Sequence, residues 1–303
     1  MIRVRLFREK DLPAVRETDP DMAEEICDFP ELIPGSIVIA EERGRFLGAA
    51  YLAKTPSFLR PELGDGRCFV RGAFRAVPGD SLEIEASEAL LYALQESVRK
   101  LQERDKQHRI ILQIYRDAKE LLFTEFMMDC GFFPRHLMQA MERDLSILSE
   151  MPADLPEGLC LTRHTDPDEF AFFKKLSALS EEAFGGIPES IEALRFRIRH
   201  GAAVFAVMEG EKLIAAMTTA GIDEETAAAE GIFCRKEYQR RGITAAMMTA
   251  VLENLAAEGF RRVRLTLFSD NLPAFSLYRK LGFELAENII EFHYETKPEH
   301  RGY

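Results

Sequence analysis

What the chain lacks narrows its class first. Its five Cys among 303 residues, at positions 27, 68, 130, 160 and 234, form no Cys-x-x-Cys pair, and their apolar surroundings read as reduced core thiols rather than a disulfide framework. The six His, with His164, His200 and His293 scattered singly, show no metal-ligand spacing and are expected to be ordinary polar or packed residues. No apolar run approaches the roughly 20 residues needed to span a bilayer, and residues 1–5 begin a strand rather than a secretion signal. The expected setting is therefore the cytoplasm, with no membrane partner. Positive charge is also in deficit: 39 Lys+Arg against 51 Asp+Glu leave a formal charge of −12, which disfavours nucleic acid. With 47% hydrophobic and 30% charged residues, the remaining class is an ordinary soluble globular chain of one or two domains.

What the chain has is a resemblance to itself. The run 6–11, LFREKD, followed by a helical pattern from Leu12, returns as LTRHTD at 161–166 before another helical stretch. The run 37–50, IVIAEERGRFLGAA, returns at 204–217 as VFAVMEGEKLIAAM, a hairpin with a polar turn in both copies. Cys130-Gly131-Phe132 answers Leu281-Gly282-Phe283 near the end of each half. The matches occur in the same order and predict two copies of one α/β unit, at 1–150 and 151–303. The seam is expected at residues 149–158, which are rich in Pro, Gly and Asp.

The second half carries the chemistry. Residues 227–234, AAAEGIFC, have the length and apolarity of a buried strand, and 235–244, RKEYQRRGIT, form a basic loop. Ile243, Met247, Ala250, Val251 and Leu255 then recur at helical spacing up to Gly259, before a further strand at 262–268. The loop thus opens a helix N-terminus, where unpaired N–H groups and the positive dipole end suit a phosphate. Arg235, Lys236, Arg240 and Arg241 fit anion binding and a solvated basic turn equally well. Next comes 271–283, NLPAFSLYRKLGF: an Asn N-cap, a Pro in the first turn, two to three helical turns and a closing Gly. By spacing alone Tyr278 reads as a packed aromatic on the face of Ala274, Leu277 and Leu281.

Strand, Gln-x-x-Gly-x-Thr loop, helix, strand and Asn-x-x-Ala-x-x-Leu-Tyr-x-x-Leu-Gly-Phe together resemble the GNAT superfamily of N-acetyltransferases, over roughly residues 158–297. The resemblance implies acetyl-CoA as co-substrate and no metal. It implies that Gln239, Arg240, Arg241, Gly242, Ile243 and Thr244 cradle the pyrophosphate, that Ile232, Phe233 and Cys234 pair with the pantetheine amides, and that Asn271 contacts the same arm. Tyr278 takes the position of the general acid beside the thioester sulfur. Thr244 departs from the usual Gly or Ala, so its side chain either turns away from the phosphates or joins them with its hydroxyl. Glu230 is the leading general base, placed by period-2 geometry on the face of Ile232 and Cys234; a surface carboxylate at a strand edge is its alternative. The position where some peptide-acetylating relatives carry a Glu is Thr266.

The first half has the outline without the signature. After 69–74 the chain reads RAVPGDSLEIE, with Asp80, Glu83 and Glu85 repelling a pyrophosphate and Asp80 with Glu83 at capping-box spacing. Counting back from Gly131 as Tyr278 precedes Gly282 gives Met127, which donates no proton. The expected architecture is two tandem units, each a mixed, mainly antiparallel twisted sheet flanked by helices. One half is competent and one degenerate, an organisation similar to mycothiol synthase, though not extending to its substrate. The expected activity is acetyl transfer to a primary amine of a small molecule or peptide, by a monomer or homodimer. A catalytically silent acyl-CoA-binding protein is the alternative, and an aminoacyl-tRNA-dependent transferase is disfavoured by the acidic balance. The acceptor pocket is expected from loops around 20–34, 180–200 and 285–295.

Overall fold

Apolar runs separated by polar turns become strands of one continuous sheet. The structure, a computed structural model, describes residues 1–54, 67–106, 108–147, 154–184 and 189–296. Residues 149–153 of the expected seam lie outside the described residues. The first half runs β1 (Arg3–Leu6), α1 (Leu12–Thr18), α2 (Pro20–Asp28), β2 (Val38–Glu42), β3 (Arg45–Lys54), β4 (Arg67–Ala76), α3 (Glu83–Arg104), β5 (Arg109–Asp117), α4 (Leu121–Asp129) and β6 (Phe133–Asp144). The second runs β7 (Cys160–His164), α5 (Phe170–Phe184), α6 (Ile191–Arg199), β8 (Ala203–Glu209), β9 (Lys212–Gly221), β10 (Thr226–Cys234), α7 (Ile243–Ala257), β11 (Arg262–Phe268), α8 (Leu272–Lys280) and β12 (Glu284–Glu295).

The repeat read from the sequence is a repeat of hydrogen-bond register. Val38 faces Ala50 and Ala40 faces Gly48 in the first hairpin; Phe205 faces Met217 and Val207 faces Ala215 in the second, all displaced by one constant offset. Even the irregularities correspond, falling after Ala40 and after Val207. The strands β1 and β7 are the exception. Leu6 faces Val38 and Arg163 faces Phe205, so Leu6 corresponds to Arg163, two residues past the match suggested by sequence.

Strand order is β1-β2-β3-β4-β5-β12-β6-β11-β10-β9-β8-β7, a palindrome under exchange of the halves. Only β4 with β5 and β10 with β11 are parallel; the other pairs are antiparallel, as expected of the fold. The closing strands are exchanged. β12 pairs with β5 of the first half, β6 pairs with β11 of the second, and the two lie antiparallel to each other at the centre. Paired residues share a face: Met141 faces Leu265 in the cluster under α7 and α8, and Leu137 on the same side of β6 faces Ile290, which packs under α3. Those helices therefore cover one face from end to end. On the other face α1 and α2 cover β2 and β3, and α5 and α6 cover β8 and β9, each with its own cluster. Between these pairs the central strands present polar groups. Buried Gln113 donates to Glu291 at 2.7 Å, and His293 Nε2 lies 2.6 Å from the same carboxylate oxygen.

Helix α7 is buried on nearly every side, which its Ala-, Met- and Leu-rich sequence allows; the Asn254 Oδ1 is buried there without a hydrogen-bond partner among the described residues. The cysteines are free, but only Cys130 and Cys234 are buried. Cys27 and Cys160 are exposed, correcting the expectation of core thiols. Met22, Ala23 and Ile26 take the buried stripe of α2, and Cys160 opens the edge strand β7.

The exchange makes the halves interdependent. A fragment of residues 154–303 leaves the β11 edge without β6 and β12 without either neighbour, so it is expected to aggregate or to melt well below the full chain, and to recover when mixed with residues 1–147. Size-exclusion chromatography and thermal unfolding of the two fragments, alone and together, check this; a second-half fragment as stable as the full chain contradicts it.

Candidate active site

The site begins where two parallel strands part. β10 and β11 pair only through Thr226↔Arg262, Ala227↔Val263 and Ala228↔Arg264, after which β10 leaves its neighbour. On its other side β10 stays on β9, but the register slips by one between Glu230↔Thr218 and Phe233↔Ala216. Gly231, at φ +56°, takes the left-handed conformation in this bulge. The extra residue flips the alternation, which corrects the expected placement of Glu230. Ile232 and Cys234 pack towards α7, whereas Glu230 faces the α5 and α6 side together with Phe233.

The diverging strand leads into a cleft of about 530 Å³. Of the residues singled out by the sequence, Ile232, Phe233, Cys234, Gln239, Arg240, Gly242, Ile243, Thr244, Asn271 and Tyr278 line it. Arg241 does not; its guanidinium lies 5.2 Å from the Tyr238 ring and borders a neighbouring depression beside Leu155. Arg240 (φ +61°) and Gly242 (φ +80°, the N-cap of α7) are both left-handed, and no side chain caps the helix, a backbone arrangement suited to an anion at the helix N-terminus. Gln239 Nε2 donates to the Cys234 carbonyl at 3.1 Å, tying the loop to the strand end. The Thr244 hydroxyl hydrogen-bonds Cys234, so it turns back to the strand and leaves the helix N-terminus open. Arg235 is diverted: its Nε donates to the Leu213 carbonyl at 2.7 Å and its Nη1 to Glu182 at 2.6 Å. Lys280, two residues after Tyr278, lines the cleft and supplies a cation to it instead.

Asn271 caps α8 as its sequence predicts, accepting from the Ala274 amide at 3.2 Å, with Pro273 in the first turn. Tyr278 is 7% exposed, and its ring centroid lies 6.0 Å from that of Phe283. Among the described residues no group hydrogen-bonds its hydroxyl. Burial alone pushes its pKa up to about 12, so the phenol stays protonated.

Glu230 lies in a second cleft of about 360 Å³ between the β10–β11 fork and helices α5 and α6. It is half exposed and pairs with Arg197, which also reaches Glu189 at 3.4 Å. Burial drives the Glu189 carboxyl upward in pKa, against the opposing pull of Arg197. Arg264 and Thr266 complete the floor, and Arg264 is itself held by Glu287 and, at 3.3 Å, by Glu142. Met138 of the first half also lines this cleft. Glu31 accepts from Ser190, and the Phe29 and Phe196 rings meet edge-on at 5.6 Å, so the expected loop 20–34 buttresses α6 rather than lining the cleft. Glu189 and Arg197 had no sequence signal; they fall in a stretch without motif, and only the fold brings them to Glu230.

Comparison with known proteins agrees with this geometry. The profile of the acetyltransferase (GNAT) family matches residues 171–283. Residues 171–283 of this chain form a GNAT-family segment. An acetyltransferase of Sodalis glossinidius (strain morsitans), SG1711, is 26% identical over 94 residues, 31% of this chain and 66% of that relative's length. A tandem GNAT protein from the clavulanic acid biosynthesis pathway covers 99% of this chain and 100% of its own at 16% identity, with a TM-score of 0.70. A GCN5-related N-acetyltransferase from Sphaerobacter thermophilus covers 98% and 96% at 20% identity, with a TM-score of 0.64. The tandem GNAT fold thus extends over the whole chain.

The first unit of the fold keeps the fork and loses the rest. β4 and β5 part after Arg71↔Gln113, but β3 and β4 stay in unbroken register, with no bulge. The expected capping box is displaced: Leu82 is the N-cap of α3, its amide donating to Asp80 at 2.9 Å, while Glu83 reaches back to the Gly79 amide at 2.7 Å. Carboxylates still occupy the amides a phosphate needs. Met127, where the second unit has Tyr278, is fully buried.

The raised pKa of Tyr278 has a measurable consequence. The tyrosine remains neutral in the folded protein while its unfolded counterpart ionises near ~10. Any stability advantage over Tyr278→Phe is therefore fully present below pH ~10 and declines as pH rises towards 12. Denaturant titrations of both proteins across this range check it; a constant difference contradicts the burial of the phenol.

Proposed function

We propose that the chain transfers an acetyl group from acetyl-CoA to a primary amine of a small molecule or peptide. One observation carries this reading: the cleft holding Tyr278 and the cleft holding Glu230 share Phe184 and Phe233 at the fork of β10 and β11. An activated acyl donor in one and an amine in the other would meet there. The donor cleft fits acetyl-CoA in its chemistry. Left-handed Arg240 and Gly242 present amides to a diphosphate, the free edge of β10 offers backbone groups to an amide-bearing arm, and Asn271 stands at the mouth. When bound, acetyl-CoA supplies a thioester already activated towards attack.

The chain's own residues then have three tasks. The fork excludes water from the meeting point by its apolar walls, Phe184, Phe233 and Leu265. Tyr278 holds a proton on a hydroxyl with no hydrogen-bond partner among the described residues, ready for a sulfur that gains negative charge. A phenol this reluctant to ionise donates a hydrogen bond throughout the working pH range. Glu230, held by Arg197 at the acceptor side, takes the proton of the incoming amine. The cleft also attracts that amine as an ammonium ion, since Glu189 and Glu230 share a single Arg197.

Kinetics separate these roles. Tyr278→Phe keeps the ring and its packing, so acetyl-CoA binding is expected to survive while kcat falls by ~10²–10⁴, the usual worth of a general acid. Glu230→Gln is expected to show a defect that shrinks as pH rises and the amine deprotonates unaided. A screen of amines for acetyl-CoA-dependent release of free thiol identifies the acceptor for both measurements. Near-normal kcat in Tyr278→Phe returns Tyr278 to a packing role, and absence of turnover with every amine favours the silent binding protein.

A further inference from the structure

The first half has a cleft where the second has its donor cleft, and its chemistry is different. Beyond Arg71↔Gln113 the strands β4 and β5 open around a space of about 510 Å³ under the N-terminal turns of α3 and α4. Three residues past its fork β11 carries buried Leu267; three residues past the equivalent point β5 carries Arg116. The Arg116 guanidinium lies 4.3 Å from the Phe74 ring centroid and 4.7 Å from that of Phe123. Its Nη2 donates to the Phe74 carbonyl at 3.3 Å, and its buried Nε has no hydrogen-bond partner among the described residues. Burial pulls the guanidinium pKa down, the direction of a cation short of counter-charge, although Glu120 partly opposes this.

The rim is unusual for a soluble surface. Ile84, Leu121 and Leu122 stand 70%, 71% and 83% exposed around this one opening. Phe123 packs on Phe126 at 5.3 Å beneath them. The charged lining consists of Arg75, Arg116 and Lys119 against Glu83 and Glu120, leaving one positive charge in a strongly acidic protein. A diphosphate is disfavoured, because Glu83 and Asp80 take the Gly79 and Leu82 amides of the loop that leads into α3, and their carboxylates would repel it.

We infer that this cleft binds a small monocarboxylate with an apolar body, the carboxylate paired with Arg116 and the body seated among Phe126, Ile84, Leu121 and Leu122. A planar guanidinium with spare donors matches a carboxylate better than a more highly charged anion that Glu83 and Glu120 would repel. The aromatic and aliphatic lining supplies the area that a polar carboxylate such as acetate would leave unused. The site is independent of the proposed acetyl transfer, since it shares no lining residue with either cleft of the second half.

Calorimetric titration of the full chain with sodium octanoate tests this. One saturable site per chain is expected, with octan-1-ol and octylamine binding at least ~10-fold more weakly, the typical worth of a charge-assisted hydrogen bond. Arg116→Leu, which installs the residue type of the second half, is expected to lose octanoate affinity by ~10-fold or more. Leu122→Glu alters only an exposed rim position, so it is expected to fold normally and lose affinity likewise. Equal binding of octan-1-ol, undiminished affinity in a folded Leu122→Glu protein, displacement of octanoate by acetyl-CoA, or no saturable binding overturns the inference.

Discussion

The exchange of β6 and β12 is the constraint on which the rest of the molecule depends. A strand at the end of a unit has an unpaired edge to satisfy, and here each unit satisfies it with the closing strand of the other. Because β6 and β12 also pair with each other, the two hydrophobic clusters under α3 and α7 become parts of one continuous layer. The same exchange sets Met138 into the lining of the cleft that holds Glu230 and brings Glu142 to Arg264. The first half thereby supplies the strand β6 that completes the second half's sheet, and the second half returns β12.

The difference between the two halves comes down to few positions around a shared fork. In the second half, one extra residue at Gly231 turns Glu230 towards the cleft under α5 and α6 and leaves Ile232 and Cys234 on the α7 side, in the cleft with Tyr278. In the first half, β4 keeps its register and no such division arises. The left-handed Arg240 and Gly242 aim amides outward in one loop, whereas Asp80 and Glu83 consume them in the other. At matching positions the second half carries buried Leu267, while in the first Arg116 donates to the Phe74 carbonyl.

Local chemistry was legible in the sequence, and non-local pairing was not. Helix α8 could be read residue by residue, because Asn271, Pro273 and Gly282 act through neighbouring backbone. The hairpins β2–β3 and β8–β9 were legible down to a common offset, since their turns fix their registers. The choice of partner by β6 and β12 was hidden, because nothing in either strand distinguishes a sister strand in its own unit from one in the other. The bulge at Gly231 was hidden for a related reason: it exists only relative to β9, and an alternation count along β10 alone put Glu230 on the wrong face. Arg197 and Glu189 became neighbours of Glu230 only through the packing of α6, and Arg235, one of four basic residues in the loop, proved to serve Glu182 and the Leu213 backbone.

The central claim is that one chain holds one donor site, in its second half, and that the first half completes the fold without repeating the chemistry. Gly242 and Gly79 are matched positions for testing it: both are left-handed, at φ +80° and +74°, and a Cβ at either meets nothing within 4 Å. Backbone strain is therefore common to both substitutions. Calorimetric titration with acetyl-CoA is predicted to give one site per chain, to lose that site in Gly242→Glu and to retain it in Gly79→Glu. Two sites per chain, or loss of binding in Gly79→Glu with Gly242→Glu unaffected, would contradict the account.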